Sequence, residues 1–262
     1  MNSLYKKMTD TLIDLKENFC AVNIKAEYED EGTSFDDLVL LKELAEETGF
    51  NLSIKIGGCG ALKDIYDAEK IGASAIVAPM IESPYALKKY TKAIKSVFLE
   101  QKRNEMNFYI NIETKNGLEY LDEILNCEDA NYLNGIVLGR TDLTESMGMN
   151  SSEIDSEIIF NMTKNASIKA KEYNKEFIIG GGVSLLSVPF FKGIADNYLT
   201  KYETRKIVFD AQKALENNTA EQGIRKALEF ELMWLKNKSN QTLITEEENK
   251  RIQILEARID NH

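Results

Sequence analysis

The sequence predicts an α/β fold, a TIM-type (β/α)8 barrel carrying a C-terminal helical extension. Three observations point there. Short apolar runs alternate with amphipathic stretches over most of the chain. The number of such units, seven or eight, favours a closed barrel over an open sheet. Two acidic residues, Glu113 and Asp142, end neighbouring apolar runs and so fall on one side of the sheet.

Taken in order, an N-terminal helix is predicted over about residues 2–18. Strands follow at 20–26, 52–57, 75–80, 107–113, 134–139, 176–180 and 196–200. Helices fill the gaps at about 35–48, 61–71, 83–96, 114–126, 153–173 and 184–192. In the first of these Leu38, Leu41, Leu44 and Ala45 share one face, and Gly49 follows as a stop. Gly72 ends the next helix in the same way. The eighth strand is placed either before residue 20 or near Lys206-Ile-Val-Phe209. The second choice is awkward, because residues 201–205 are too few for a crossover to a parallel strand. The stretch 203–217 is therefore predicted to be helical, with Ile207, Ala211, Ala214 and Leu215 inward. An irregular barrel also suits the count.

Past residue 217 the chain becomes rich in Glu, Lys and Arg, and 219–237 and 245–261 have helical patterns. The expected organisation is a barrel with its N-terminal helix over 1–217 and an extension over 218–262, with a linker at 237–242. Ile244, Ile252, Leu255 and Ile259 make a narrow apolar stripe, which packs on its own domain or on a partner subunit. A homo-oligomer is expected from it.

Composition narrows the function. With 43% apolar residues in 262, the chain has material for a large core. A net charge of −11 argues against nucleic acid and anionic membrane as partners. No apolar run is long enough to span a bilayer and no signal-like segment opens the chain, so a cytoplasmic location is expected. Cys20, Cys59 and Cys127 are scattered, as idle thiols in a reducing compartment would be. The only histidine is His262, at the end of the chain, which sets aside catalytic triads and most zinc sites.

Two carboxylates on one rim repel unless a cation joins them, so Glu113 and Asp142 predict a hard divalent metal, Mg2+ or Mn2+. Lys55 lies inside an apolar strand, where a charge needs a partner or a ligand; an ion pair with Glu27 or Glu113 is the structural alternative. Glu27 ends the first strand. Glu82 ends another, although Glu82-Ser-Pro84 suits a helix start equally well. Arg140 and Arg205, on the rim side, are candidate anion ligands or structural ion-pair residues.

Three motifs recur in order at strand ends: Ile76-Val-Ala-Pro-Met-Ile-Glu-Ser83, Ile110-Asn-Ile-Glu-Thr114 and Gly135-Ile-Val-Leu-Gly-Arg-Thr-Asp-Leu143. Together they resemble the HpcH/HpaI aldolase and citrate lyase beta-subunit family of the phosphoenolpyruvate/pyruvate barrel superfamily, over about residues 20–200. The resemblance implies that Glu113 and Asp142 hold the metal, which binds a small 2-oxo acid such as pyruvate and stabilises the enolate formed when a C–C bond breaks. It implies that backbone N–H groups around Gly139 and Thr141 hold the substrate carboxylate. It places Lys55 where the family has an arginine that polarises the ketone. Where the family has an Asp–His acid/base pair, this chain has Lys25 and Tyr28, the sharpest departure. The predicted function is a metal-dependent C–C lyase or aldolase, with Lys55, Glu27 and Arg140 catalytic and Gly139, Thr141, Arg205 and Glu82 binding substrate. A hydrolase or phosphotransferase at a pyruvate-like centre, or a barrel serving as a binding or assembly subunit, are the alternatives.

Overall fold

The computed structural model describes residues 3–196, 198–239 and 245–260. Eight strands close into a barrel in chain order: β1 (Ala21–Glu27), β2 (Asn51–Lys55), β3 (Ala75–Ala78), β4 (Asn107–Ile112), β5 (Gly135–Gly139), β6 (Glu176–Gly180), β7 (Lys201–Glu203) and β8 (Ile207–Asp210). The barrel predicted from the sequence is present, and it is irregular. Strands β1 to β7 pair in parallel, whereas β8 runs antiparallel to both β7 and β1.

Two expectations are corrected here. Residues 203–217 are not one helix; β8 occupies the first part and only Ala211–Glu216 is helical. The connection from β7 is too short for a parallel crossover, but it suffices for a hairpin. Thr204 closes that turn, its N–H donating to the Ile207 carbonyl at 2.9 Å and its Oγ1 accepting from the Ile207 N–H at 3.1 Å. The seventh strand lies at Lys201–Glu203 rather than 196–200, of which Asn197 lies outside the described residues. Its inward residues are charged. Lys201 pairs with Glu176 and Glu203 with Lys25 at 2.6 Å, so the strand carries no apolar signature.

The period of two along each strand sorts the interior into layers. Ala75, Val77, Tyr109, Val137 and Ile178 form a small apolar cluster separate from the main core, and they plug the lumen. Two positions further along β4, β5 and β6 the inward residues become Asn111, Gly139 and Gly180, and Glu27 and Lys55 line the same mouth from β1 and β2. The same alternation thus seals the barrel and then floors its mouth with polar groups.

Outside the barrel, the helix Ala220–Ser239 buries Ile224, Leu228 and Trp234 in the same hydrophobic cluster as the barrel's outer face. Gly223 permits its close approach, since a Cβ there would meet Phe19 and Phe209 at 3.1 Å. The C-terminal helix Glu246–Asp260 folds back on this helix. Arg251 clamps the buried Glu231 through bonds of 2.6 and 2.8 Å, and Leu255 is fully buried. The stripe from which self-association was expected is therefore covered by its own chain at Leu255, and partly at Ile252; Ile244 lies outside the described residues. No helix among the described residues is long and apolar enough to cross a membrane.

Candidate active site

The barrel mouth opens into a cavity of about 620 Å³. Glu113, Asp142, Lys55, Glu27, Gly139, Thr141 and Arg205 all line it, so most of the residues singled out in the sequence do converge.

Glu113 follows β4 and is buried, 2% exposed. Each of its oxygens is held: Oε1 accepts from the Met80 N–H at 2.9 Å, and Oε2 accepts from Asn111 Nδ2 at 2.7 Å. Met80 adopts a left-handed backbone (φ 51°), an uncommon state for a side chain with a Cβ, and in it its amide reaches Glu113. Gly139 on the adjacent strand leaves room for this carboxylate. A Cβ there would lie 2.7 Å from Glu113 Oε2 and 2.8 Å from Glu113 Cβ. Asp142 stands in the first turn of the short helix Arg140–Ser146 that follows β5. Burial, then the charge of Glu113, raise its pKa to about 6.

That shift has a sign. The folded chain holds the Asp142 proton more tightly than the unfolded chain, so stability falls as pH rises from the ordinary carboxylate range to about 6. Asp142→Asn removes the repelled charge. In chelator-treated protein at pH 8 it is expected to raise the melting temperature by scanning calorimetry; a lowered value would show that Asp142 is stabilised by a partner instead.

Lys55 sits at the centre of the acids. Its Nζ is 2.9 Å from Glu27 Oε1, 2.7 Å from Glu29 Oε2 and 3.7 Å from Glu113 Oε2. Burial would lower the pKa of the ammonium, but Glu27 and Glu113 more than offset this and hold it above its ordinary value. Lys55 is thus a fixed positive charge and is poorly suited to a Schiff base, which needs a neutral amine. Glu27 is buried in turn between Lys55 and Lys25, the latter at 3.9 Å. Burial raises its pKa, yet the two lysines outweigh it and keep the carboxylate ionised. Glu27, Glu29 and Asp30 also form a cluster whose oxygens lie within 4.8 Å of one another, a candidate cation site among the described residues.

Several placements depart from expectation. Arg140 is 0% exposed and does not reach the cavity. It pairs with Asp155, donates to the carbonyls of Gly180 and Gly181 at 3.4 and 3.0 Å, and stacks on the rings of Phe190 and Phe191. Its charge is spent on holding the β6 loop, which corrects the expectation of a catalytic or anion-binding role. Glu82 accepts from Thr114 Oγ1, the cap of the helix after β4, and does not line the cavity; it supports the site from behind. Tyr28 donates to Asp67 at 2.8 Å, outside the cavity. His262 lies outside the described residues.

The structure also adds a residue that sequence reasoning missed. Asn111 precedes Glu113 by two and so shares its inward face; that spacing was a readable signal. Its Oδ1 is buried without a hydrogen-bond partner. Gly181 (φ +74°) also shapes the site, since a Cβ there would lie 2.7 Å and 2.6 Å from the amide nitrogens of Arg140 and Thr141. Its absence leaves space over two N–H groups at a helix start. An unpartnered acceptor sharing one cavity with two carboxylates suits a hard cation. Two amides over a cleared space suit a carboxylate.

Residues 58–178 match the family described as HpcH/HpaI aldolase/citrate lyase. Solved structures share the fold. An HpcH/HpaI aldolase from Desulfitobacterium hafniense DCB-2 is 14% identical, with a TM-score of 0.63, and the alignment covers 87% of this chain and 91% of that one. An HpcH/HpaI aldolase/citrate lyase family protein from Burkholderia cenocepacia J2315 is 10% identical over 87% of this chain and 99% of its own, with a TM-score of 0.60. The citrate synthase SbnG is 16% identical over 84% and 89%, with a TM-score of 0.61. No curated protein sequence matches. The family match over residues 58–178 supports the resemblance carried by the strand-end motifs, and the neighbours share the barrel fold.

Proposed function

We propose that the chain is a metal-dependent carbon–carbon lyase or aldolase acting on a 2-oxo acid, with Glu113 and Asp142 as the metal ligands. The observation that carries this is the convergence in one cavity of those two carboxylates with the orphaned Oδ1 of Asn111. Mg2+ or Mn2+ suits an all-oxygen set, and when bound it supplies Lewis-acid stabilisation of an enolate. The chain's own residues supply the rest. The amides of Arg140 and Thr141 hold the substrate carboxylate in the space cleared by Gly181. Lys55, kept protonated by Glu27 and Glu113, offers a positive charge to the ketone oxygen as negative charge grows there. Glu27 is a positioning residue for Lys55. The apolar plug of Val77, Val137 and Ile178 closes the barrel below and keeps solvent from entering there.

The substrate is a small molecule, in keeping with the acidic net charge of −11. A cytoplasmic homo-oligomer completes the proposal. Release of pyruvate from 4-hydroxy-2-oxo acids, followed with and without Mn2+, tests it; Mn2+-independent release, or none from any such acid, would sink it. A binding or assembly subunit is the second reading, favoured by Tyr28 being tied to Asp67 where the family has half of an acid/base pair.

A further inference from the structure

The floor of the cavity holds an ion pair that neither the carboxylates proposed for the metal nor the amides at Arg140 and Thr141 involve. Lys25 on β1 and Glu203 on β7 both line the cavity, and both are buried. Lys25 Nζ donates to Glu203 Oε1 at 2.6 Å. Burial works against this ammonium, but Glu203 and then Glu27 outweigh it and keep Lys25 charged. The Glu203 carboxylate accepts no second hydrogen bond among the described residues, so its Oε2 is left to the cavity. A buried carboxylate oxygen that meets no donor of the protein can accept from a ligand.

Two glycines fix where that carboxylate lies. Gly139 on β5 and Gly180 on β6 are partners in register, so they stand about 4.8 Å apart. The Glu113 carboxylate lies over Gly139, with Oε2 2.7 Å from where a Cβ would be. The Glu203 carboxylate lies over Gly180, with Oε1 3.2 Å from the corresponding point. The two acids thus reach across the floor from opposite sides, β4 and β7, to neighbouring positions. A 2-oxo acid held at Glu113 and Asp142, with its carboxylate over Gly181, lies alongside Glu203. The other carboxylates of the cavity are committed elsewhere. Glu27 is held between Lys55 and Lys25, Asp155 pairs with Arg140, and Asp30 is exposed at the rim.

We propose that Glu203 is the catalytic residue that carries the proton in this site, with Lys25 as its positioning residue. The proposal rests on the proposed function, which sets the oxo acid at Glu113 and Asp142. In cleavage of a 4-hydroxy-2-oxo acid, the Glu203 carboxylate takes the proton of the C4 hydroxyl as the C4–O bond becomes a carbonyl. The C3–C4 bond breaks, and its electron pair passes to C3 to form the enolate. Glu203 then returns the same proton to C3, which gives pyruvate and an aldehyde with no further reactant. Lys25 balances the Glu203 charge beside the substrate's own carboxylate. While Glu203 is protonated, Lys25 keeps Glu27, 3.9 Å away, as its counter-ion.

Two reactions of the full-length chain with Mg2+ present separate this role from a structural one. Exchange of pyruvate methyl protons with deuterated solvent needs a residue that takes and returns a proton. Decarboxylation of oxaloacetate needs only enolate stabilisation, because carbon dioxide leaves before any proton moves. Glu203→Gln should slow exchange at least about a hundredfold, and leave carbon dioxide release and calorimetric Mn2+ affinity within about threefold of the intact chain. Glu203→Asp should recover part of the exchange. If the single variant does not fold, Lys25→Met/Glu203→Gln strands no lysine and is expected to show the same split. Exchange that survives Glu203→Gln, or a parallel fall in decarboxylation or Mn2+ affinity, would overturn the role of Glu203. So would an intact chain that decarboxylates oxaloacetate but exchanges no methyl protons. An intact chain that does neither with Mg2+ present sinks the metal-site reading, and this proposal with it.

Discussion

Glu113→Gln is expected to cut Mn2+-dependent pyruvate release at least about a hundredfold, since losing a ligand should cost no less than losing one of its outer partners. The fold should survive. Glutamine keeps the shape, and its Oε1 can still accept from the Met80 N–H that meets Glu113 at 2.9 Å. What it loses is charge. Its amide would also face the Asn111 donor now 2.7 Å from Oε2, two donors opposed where a carboxylate accepts. Calorimetric titration with Mn2+ separates this from a general defect: affinity should fall at least tenfold while circular dichroism is unchanged. Unaltered Mn2+ affinity and turnover would remove Glu113 from the metal site.

Lys55→Met is expected to act on stability as well as activity. The lysine is the common partner of Glu27, Glu29 and Glu113, of which Glu27 and Glu113 are buried. Removing it leaves Glu113 without an ion pair among the described residues and Glu27 with only Lys25 at 3.9 Å, a change that costs about 3–5 kcal/mol. For a domain of this size that corresponds to a fall in melting temperature of roughly 10 °C. Lys55→Arg keeps the charge and should recover most of the stability. If Lys55→Met melts with the intact chain, the acids are neutralised by something other than this ammonium.

Much of this was legible in the sequence, for reasons that can be named. The parallel strands buried on both faces announce themselves as apolar runs, and the acids ending two of them mark the rim. Strand β7 was missed because Lys201 and Glu203 are satisfied by ion pairs inside the barrel, which periodicity cannot see. β8 was set aside because a short connection forbids a parallel partner; the chain answers with an antiparallel one. Arg140 sits in the strand-end motif and yet turns inward, toward Asp155 in a distant loop and the Phe190 and Phe191 rings, partners that no local pattern reveals.

Exchange of the pyruvate methyl protons with deuterated solvent, followed by proton NMR, tests the central claim most directly. Exchange needs a bound cation and a site that stabilises the enolate, whatever the second substrate is. With Mg2+ present the intact chain should exchange pyruvate well above the metal-only background, and excess chelator should abolish the effect. Glu113→Gln and Asp142→Asn should both fall to that background. Exchange that persists in chelator, or that both variants retain, would contradict a metal held by Glu113 and Asp142.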